Sequence, residues 1–361
     1  MKNIRTTFPL MLAGLFVFFG LSLQIQMDTS TSESSEKLYL NLDSLKISLS
    51  GVEPAMTAVG DPKAWAGVRA VATFTKNVVD SLDSIISNIA KSGLLNKTAV
   101  FTNDDGKHKF KLNPNANVSP SSSAFGTAKT YKNRLDVWDS TTDQKVLELY
   151  FDDPSTKSEV LVIWRPKHFD PTGITGNDVI MECGMTGGAS SGTMLCSWSG
   201  GPLDANGIFD NARIKVVADS ANGVVKTIAL ARIQTAYTAV CPLASASHTV
   251  RDYYSLAFIA NTKAPNQTTA SFGVAENTTN TFCGAANLNN YGRFNTSVNT
   301  GETDNKKYYV GDGYSADTAG YPLIADVASL HTSMAGTDAH VSIAKVDAIS
   351  VLFNSTAGAG F

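Results

Sequence analysis

The residues with the spacing best suited to chemistry form the string Gly188-Ala189-Ser190-Ser191-Gly192. A Gly-x-Ser-x-Gly pattern can expose a serine as a nucleophile on a sharp turn between a strand and a helix. Ser190 is therefore the candidate catalytic residue of the chain. The residues that follow, 193–198, predict a strand instead of a helix, so we expect the string to be a flexible hairpin loop.

A serine nucleophile also needs a histidine base and an acid that orients it. Asp312 or Asp338 with His331 or His340 follow Ser190 in the required chain order, but a chain of this length supplies such residues by chance. The five histidines are dispersed, without a His-Glu-x-x-His motif or a histidine at zinc spacing from a cysteine. We therefore expect no metal site, no cofactor and no enzymatic activity.

The four cysteines, Cys183, Cys196, Cys241 and Cys283, all lie in the C-terminal half of the chain. An even number of cysteines in an exported chain indicates two disulfides, for which three connectivities exist. Two apolar runs flank the Gly/Ser turn, and folding them about its midpoint places Cys183 directly opposite Cys196, close enough for a disulfide. We favour the pair Cys183–Cys196 on this geometry and the pair Cys241–Cys283 by elimination.

The N-terminal segment has the organisation of an export signal. Lys2 and Arg5 precede an apolar run at 8–23, and a stretch rich in Ser, Thr and Glu follows. We predict that residues 1–25 are an export signal, with an N-terminal anchor as the alternative, and that residues 26–37 form a polar tether. The chain is then expected in the periplasm, at the cell surface or secreted, and at a membrane only through this segment if it stays uncleaved.

Composition narrows the classes of partner. With 361 residues, of which 43% are hydrophobic, the chain can bury a sizeable core. The formal net charge is -3, charged residues make up 17%, and no Lys/Arg run is present. Nucleic-acid binding requires a basic surface, so we expect no nucleic-acid partner.

The longest predicted helix covers residues 62–92. Asp61 is suited to the N-cap, Pro62 to the first helical position and Gly93 to the left-handed C-terminal cap. Between Trp65 and Ile89, apolar residues recur at steps of three and four, which gives a continuous apolar stripe. We expect this stripe to pack across the sheet of the same chain, because that sheet needs a cover. A helix that binds a partner would show the same stripe.

The remainder of the chain predicts strands. Hairpin signals and alternating apolar residues predict strands at 100–101, 107–112, 131–138, 146–151, 159–164, 178–185, 193–198, 212–219, 224–233, 253–260 and 269–274. One or two short strands are predicted at 38–42 and 45–49, a terminal strand at 341–353, and long surface loops at 275–320.

These elements predict an α+β fold that is mainly β, with a large antiparallel sheet, as a sandwich or an open barrel, covered by one long N-terminal helix. We assign residues 38–361 to one β-rich domain, with 113–125 as the place for a sub-boundary.

Aromatic side chains offer a second route to function, because a sheet with a concave apolar face can hold a lipid or a sugar. Burial in the core is the other interpretation of these residues, which are Trp138, Trp164, Trp198, Tyr253, Tyr254, Tyr291, Tyr308 and Tyr309. Our functional hypothesis is an exported cell-envelope or secreted protein with a binding or structural/assembly role and a protein or glycan partner at the cell surface. The alternatives are a secreted serine hydrolase that uses Ser190 and a periplasmic carrier of an apolar ligand.

Overall fold

A computed structural model gives the fold of the chain. It describes residues 40–47, 63–91, 93–95, 97–102, 106–120, 129–152, 158–168, 179–199, 209–233, 238–241, 244–247, 253–261, 269–277, 290–295, 309–310, 313–314 and 341–354.

Strands dominate the structure. They are β1 Ala99–Thr102, β2 His108–Asn113, β3 Asn133–Asp139, β4 Lys145–Phe151, β5 Ser158–Trp164, β6 Ile180–Gly187, β7 Ser191–Ser199, β8 Phe209–Asp219, β9 Val224–Ile233, β10 Thr238–Cys241, β11 Ala244–Ser247, β12 Tyr253–Asn261, β13 Thr269–Asn277, β14 Asn290–Asn295, β15 Tyr309–Val310 and β16 Gly313–Tyr314. Two helices, α1 Lys63–Lys91 and α2 Ile343–Asp347, complete the regular elements of the described part of the chain, with short 3₁₀ turns at Asp43–Leu45 and Pro166–His168.

Twelve of these strands form one antiparallel sheet in the order β1-β2-β3-β4-β5-β6-β7-β8-β9-β12-β13-β14. Each strand pairs with its neighbour in this meander, and the sheet is open because β1 and β14 are its two edges. The prediction of a mainly β chain built on a large antiparallel sheet is confirmed. The other described strands form two two-stranded pairs, β10–β11 and β15–β16. The prediction of loops at 275–320 is wrong where the structure describes strands, which are the end of β13 and strands β14, β15 and β16.

One face of the sheet carries the larger core. Helix α1 contributes buried side chains at helical spacing, among them Phe74, Val78, Leu82 and Ile86, and these share one apolar cluster with alternate residues of the strands. The strand residues that face this cluster include Phe110, Leu112, Leu135, Leu147, Leu149, Val162, Trp164, Met185, Met194, Trp198 and Ile214. The period of two along each strand and the helical stripe of α1 therefore meet on the same side of the sheet.

Residues 40–47 pack on the same face beside α1. Asp83 holds them, because its carboxylate accepts a hydrogen bond from the Leu40 N–H at 3.2 Å and pairs with the Lys46 ammonium at 2.8 Å. Within residues 40–47 the structure has a 3₁₀ turn at Asp43–Leu45 and no strand, so the prediction of short strands at 38–42 and 45–49 is wrong for the described part of these segments. The alternation of apolar residues there reflects burial of Leu40, Leu42 and Leu45 in the core without strand pairing.

The opposite face is covered by the C-terminal segment, residues 341–354. Val341, Val346, Val351 and Phe353 are buried in a second apolar cluster with strand residues such as Ile163. Helix α2 begins at a Ser342 cap, and the side-chain amide of Asn211 donates to the Val346 carbonyl oxygen at 2.9 Å. The predicted strand at 341–353 is therefore wrong: its apolar residues cover the sheet from outside and do not extend it.

Candidate functional site

The strand register aligns a row of mainly charged residues across the face that the C-terminal segment covers. In order from β2 to β8, its members are Lys111, Asp136, Glu148, Ile163, Glu182, Ser197 and Arg213, each a direct cross-strand neighbour of the next. Three carboxylates in this row are almost fully buried: Asp136 is 4% exposed, and Glu148 and Glu182 are 0% exposed. Such a row is unusual, because buried charges are costly unless they are paired.

Two cations compensate the carboxylates of Asp136 and Glu148. Lys145 Nζ lies 3.0 Å from Asp136 Oδ1 and 2.9 Å from Glu148 Oε1. Arg134 Nη2 lies 2.7 Å from Asp136 Oδ1 and 3.0 Å from Glu148 Oε1. Each cation therefore bridges both carboxylates, and the four side chains form a closed ionic cluster.

A β-bulge explains how Lys145 reaches the cluster. The pairing of β3 with β4 shifts between Val137 and Trp138, so that Val137 faces Leu147 while Trp138 faces Lys145. The alternation along β4 would otherwise send Lys145 to the α1 face together with Leu147. A bulge changes the face to which a side chain points. Here it places the Lys145 ammonium on the face that carries Asp136 and Glu148.

The C-terminal segment closes the cluster from above. The backbone N–H of Asn354 donates to both carboxylate oxygens of Glu148, at 2.8 and 2.9 Å. The Tyr150 hydroxyl donates to Glu148 Oε2 at 2.7 Å. The carboxylate of Glu148 is thus saturated with donors from the sheet and from the cover, and it is removed from water.

The surroundings shift the pKa values of the cluster in directions that follow from burial and charge. Burial raises the pKa of Asp136, against the opposing effect of Lys145 and Arg134. Burial also raises the pKa of the Tyr150 hydroxyl, and the negative charge of Glu148 beside it acts in the same direction. For Arg134, burial alone would lower the pKa, but Asp136 and Glu148 raise it overall, so the guanidinium stays charged.

A second buried group lies further along the row. The Ser197 hydroxyl donates to Glu182 Oε1 at 2.6 Å. Burial lowers the pKa of Arg213, and the charge of Glu182 acts against that shift. Ile163 separates this group from the cluster around Glu148, so the row consists of two polar groups divided by an apolar residue.

An open pocket of ≈ 510 Å³ lies at the β2 end of the row. It is lined by Thr98, Lys111, Asn113, Pro114, Ala116, Val118, Arg134, Asp136, Trp138 and Lys145. Lys145 Nζ sits 5.2 Å from the centroid of the Trp138 ring, and the Asn113 amide donates to Asp136 Oδ2 at 3.4 Å. The pocket thus joins part of the ionic cluster to solvent, and its lining is mainly polar and charged, with the largely buried ring of Trp138 beside it.

Ser190 lies in the connection between β6 and β7, and its side chain is exposed. Its carbonyl oxygen accepts the Ser220 N–H at 2.9 Å, which ties this connection to the neighbouring β8–β9 turn. The residue after it begins strand β7, where a nucleophile turn would begin a helix. The partners named for it, Asp312, Asp338, His331 and His340, lie outside the described residues, so the hydrolase alternative stays a prediction.

The disulfide predicted from hairpin geometry is confirmed. Cys183 and Cys196 are direct partners in the β6–β7 register and are joined by a disulfide, at 0% and 2% exposure. Cys241 ends β10, where the structure describes the backbone alone, and Cys283 lies outside the described residues. The second predicted pair stays a prediction.

Two of the five histidines fall within the description, and they lie at the end of the sheet near β3. His108 Nε2 is 3.3 Å from the His168 carbonyl oxygen, and His168 Nδ1 is 3.4 Å from Asp139 Oδ2. Burial alone would raise the pKa of Asp139, but hydrogen bonds from the backbone of Thr142 and Thr141 lower it overall. No group of three or more His, Cys, Asp or Glu side chains able to hold a metal ion occurs among the described residues.

The aromatic residues divide between core and pocket. Trp164 and Trp198 are buried in the apolar cluster beneath α1, whereas Trp138 lines the pocket with 5% exposure. The other aromatic residues for which a ligand-facing or a core role was predicted are five tyrosines, and the structure does not describe their side chains. They are Tyr253, Tyr254, Tyr291, Tyr308 and Tyr309.

Comparison of the chain with protein-family models, with curated proteins and with solved structures finds no match. Within the described ranges, neither helix combines the length and apolar character needed to cross a membrane. The site is therefore interpreted from its own residues.

Sequence reasoning missed the ionic cluster. The alternation of β4 places Glu148 on the face opposite Leu147 and Leu149, which in an exposed sheet would be the solvent side. The sequence shows opposite charges close together on neighbouring strands, at Arg134 and Asp136 and at Lys145 and Glu148. The register sets Asp136 directly opposite Glu148, however, so like charges face each other and cross-strand pairing alone does not predict the cluster. Lys145 lies just before the predicted strand 146–151 and reaches the cluster only through the bulge.

Proposed function

We propose that this chain is an exported protein that works in the periplasm, at the cell surface or in the medium, and that its role there is binding. The observation that carries the proposal is the disulfide between Cys183 and Cys196, two buried residues directly opposite each other on neighbouring strands. Disulfides of this structural kind persist in oxidising compartments, whereas cytosolic thiols are kept reduced. The basic, apolar and polar parts of residues 1–37 support the same location.

The pocket beside the ionic cluster supports binding over a purely architectural role. Its volume falls within the range of about 300–1,000 Å³ that small-ligand sites occupy. Its wall combines charged groups on rigid strands with the ring of Trp138, and strands hold such groups more precisely than loops do.

The location is tested by the intact mass of the protein from its native source, alkylated before and after reduction. We expect that Cys183 and Cys196 accept the alkylating reagent only after reduction, and that a cleaved signal removes about 25 residues. Peptide mapping assigns each alkylated cysteine. Free alkylation of both residues in the native protein would contradict the proposed compartment.

The binding role is tested by co-sedimentation of the purified protein with envelopes from the same cells. We expect saturable retention that excess unlabelled protein reverses, with heat-unfolded protein as the control. A folded protein that shows no saturable retention on envelopes and none on secreted glycans would contradict this role.

A further inference from the structure

The pocket holds a cation that no described residue neutralises. Lys111 is half-buried in β2, its side chain lines the pocket, and its ammonium makes no ion pair or hydrogen bond within the described part of the chain. Arg134, on the next strand, uses Nε and Nη2 for the two carboxylates of the cluster, and its Nη1 makes no hydrogen bond to a described residue. Lys111 and Arg134 therefore both line the pocket, and each has a donor group that no described residue uses.

The charge balance defines the ligand that these donors suit. The pocket and the cluster behind it contain three cations, Lys111, Arg134 and Lys145, and two carboxylates, Asp136 and Glu148. One positive charge is in excess, so a ligand with a single negative charge completes the balance. A doubly charged anion would meet repulsion, because the Asp136 carboxylate itself forms part of the wall.

The rest of the wall suits a small organic molecule. A small part of the Trp138 ring reaches the pocket, where it can give the carbon atoms of a ligand an apolar contact. The Asn113 amide and the Thr98 hydroxyl are neutral hydrogen-bonding groups at the same pocket. Geometry and charge together favour a carboxylate group attached to a small carbon skeleton.

We infer that this pocket binds a carboxylate-bearing small molecule, with the Lys111 ammonium and Arg134 Nη1 as donors to the carboxylate and Trp138 as the apolar wall. The inference names the ligand class for the binding role proposed above and rests on that role. Two sources share this chemistry, an acidic sugar of a surface glycan and a free carboxylic acid, and the test separates them.

The test is isothermal titration of the purified full chain with four probes: D-galacturonate, pyruvate, D-galactose and inorganic phosphate. We expect saturable binding of galacturonate or pyruvate, and none of neutral galactose. Galacturonate alone would identify an acidic sugar, and pyruvate with equal or higher affinity would identify a free acid. Lys111→Met should weaken binding about tenfold or more, because a hydrogen bond to a charged group is lost.

The matched control is Lys109→Met. Lys109 lies two residues away on the same strand, but it pairs with Asp143 at 2.9 Å and does not line the pocket. The control makes the same change of charge, so affinity should stay within about twofold. Because Lys111 has no described partner, Lys111→Met is expected to fold, and an unchanged urea midpoint will verify this.

Three results would overturn the inference: no carboxylate probe binds, phosphate binds more tightly than both, or Lys111→Met binds as the wild type does. The binding role fails separately. If wild type and Lys111→Met are retained equally on envelopes while no carboxylate probe binds, the binding role stands and the pocket is wrong. If neither is retained while galacturonate binds in solution, the pocket stands and the envelope role is wrong.

Discussion

Replacement of Glu148 by glutamine tests whether the buried ionic cluster holds the two layers of the molecule together. The carboxylate accepts from Arg134, Lys145 and the Tyr150 hydroxyl, all on the sheet, and from the backbone N–H of Asn354 in the C-terminal cover. Glutamine keeps the shape and one acceptor oxygen but removes the charge. The change therefore isolates the ionic part of the cluster.

The structure allows the magnitude to be worked out. At a separation of 2.9 Å and an effective dielectric constant of about 20, one unit pair attracts by roughly 6 kcal/mol before desolvation is subtracted. Loss of Glu148 leaves Asp136 as the carboxylate shared by Lys145 and Arg134, so one buried positive charge has no counter-charge in the cluster. Breaking a buried pair in this way costs about 3–5 kcal/mol. This is a large share of the stability of a typical domain, about 5–15 kcal/mol.

The assay is urea unfolding followed by tryptophan fluorescence at pH 7. The control is Glu159→Gln, because Glu159 pairs with Lys129 at 2.7 Å in a partly exposed position and should lose at most about 1 kcal/mol. Adding Lys145→Met to Glu148→Gln removes the uncompensated charge, so the double variant should be more stable than the sum of the single effects by about 1–3 kcal/mol. A loss below 1 kcal/mol for Glu148→Gln, equal to that of the control, would refute the closed cluster.

Three further predictions follow from contacts elsewhere. Gly192→Ala should destabilise the fold by about 1–3 kcal/mol in urea unfolding, because its Cβ would lie 2.6 Å from Ser44 Oγ; an unchanged midpoint would contradict this packing. Hydrogen bonds from Asn222 lower the pKa of Asp219 below 3.8, so Asp219→Asn should be less stable than wild type at pH 7, and the difference should vanish as pH falls through the folded-state pKa; a gap that stays constant to pH 2 would refute the linkage. Asn354→Pro removes the N–H that donates to the buried carboxylate and should lower the urea midpoint. Asn354→Ala keeps that N–H and loses an exposed side-chain hydrogen bond to the Ser119 carbonyl oxygen, so it should lower the midpoint far less.

The register of the central hairpin was predictable because two independent local signals agreed. The apolar runs around Ser190 fold symmetrically, and the two cysteines then face each other, so a disulfide selects the same register that the turn selects. The strand boundaries elsewhere followed from the alternation of residues such as Leu147 and Leu149 with polar neighbours. These signals come from residues that are close together in the sequence, so they can be recognised without knowledge of the fold.

The parts that sequence reasoning missed depend on contacts between distant segments. Asn354 meets Glu148 across a sequence separation of 206 residues, and nothing near either residue predicts the contact. The apolar residues from Val341 to Phe353 have the composition of a strand, but they are buried by packing on the sheet and not by pairing with it. Periodicity detects burial on one side, and it does not distinguish a strand from an irregular cover.

The disulfide and the ionic cluster are linked through strand register. Glu182 is adjacent to Cys183, and Ser197 is adjacent to Cys196, so the bond that fixes one cross-strand pair also fixes the polar pair beside it. A slip of one residue between two strands turns every side chain to the other face. In β6 such a slip would place the Glu182 carboxylate in the apolar core beneath α1, where burial of an unpaired charge is costly. A covalent link at this point therefore protects the register of the row whose other end opens into the pocket.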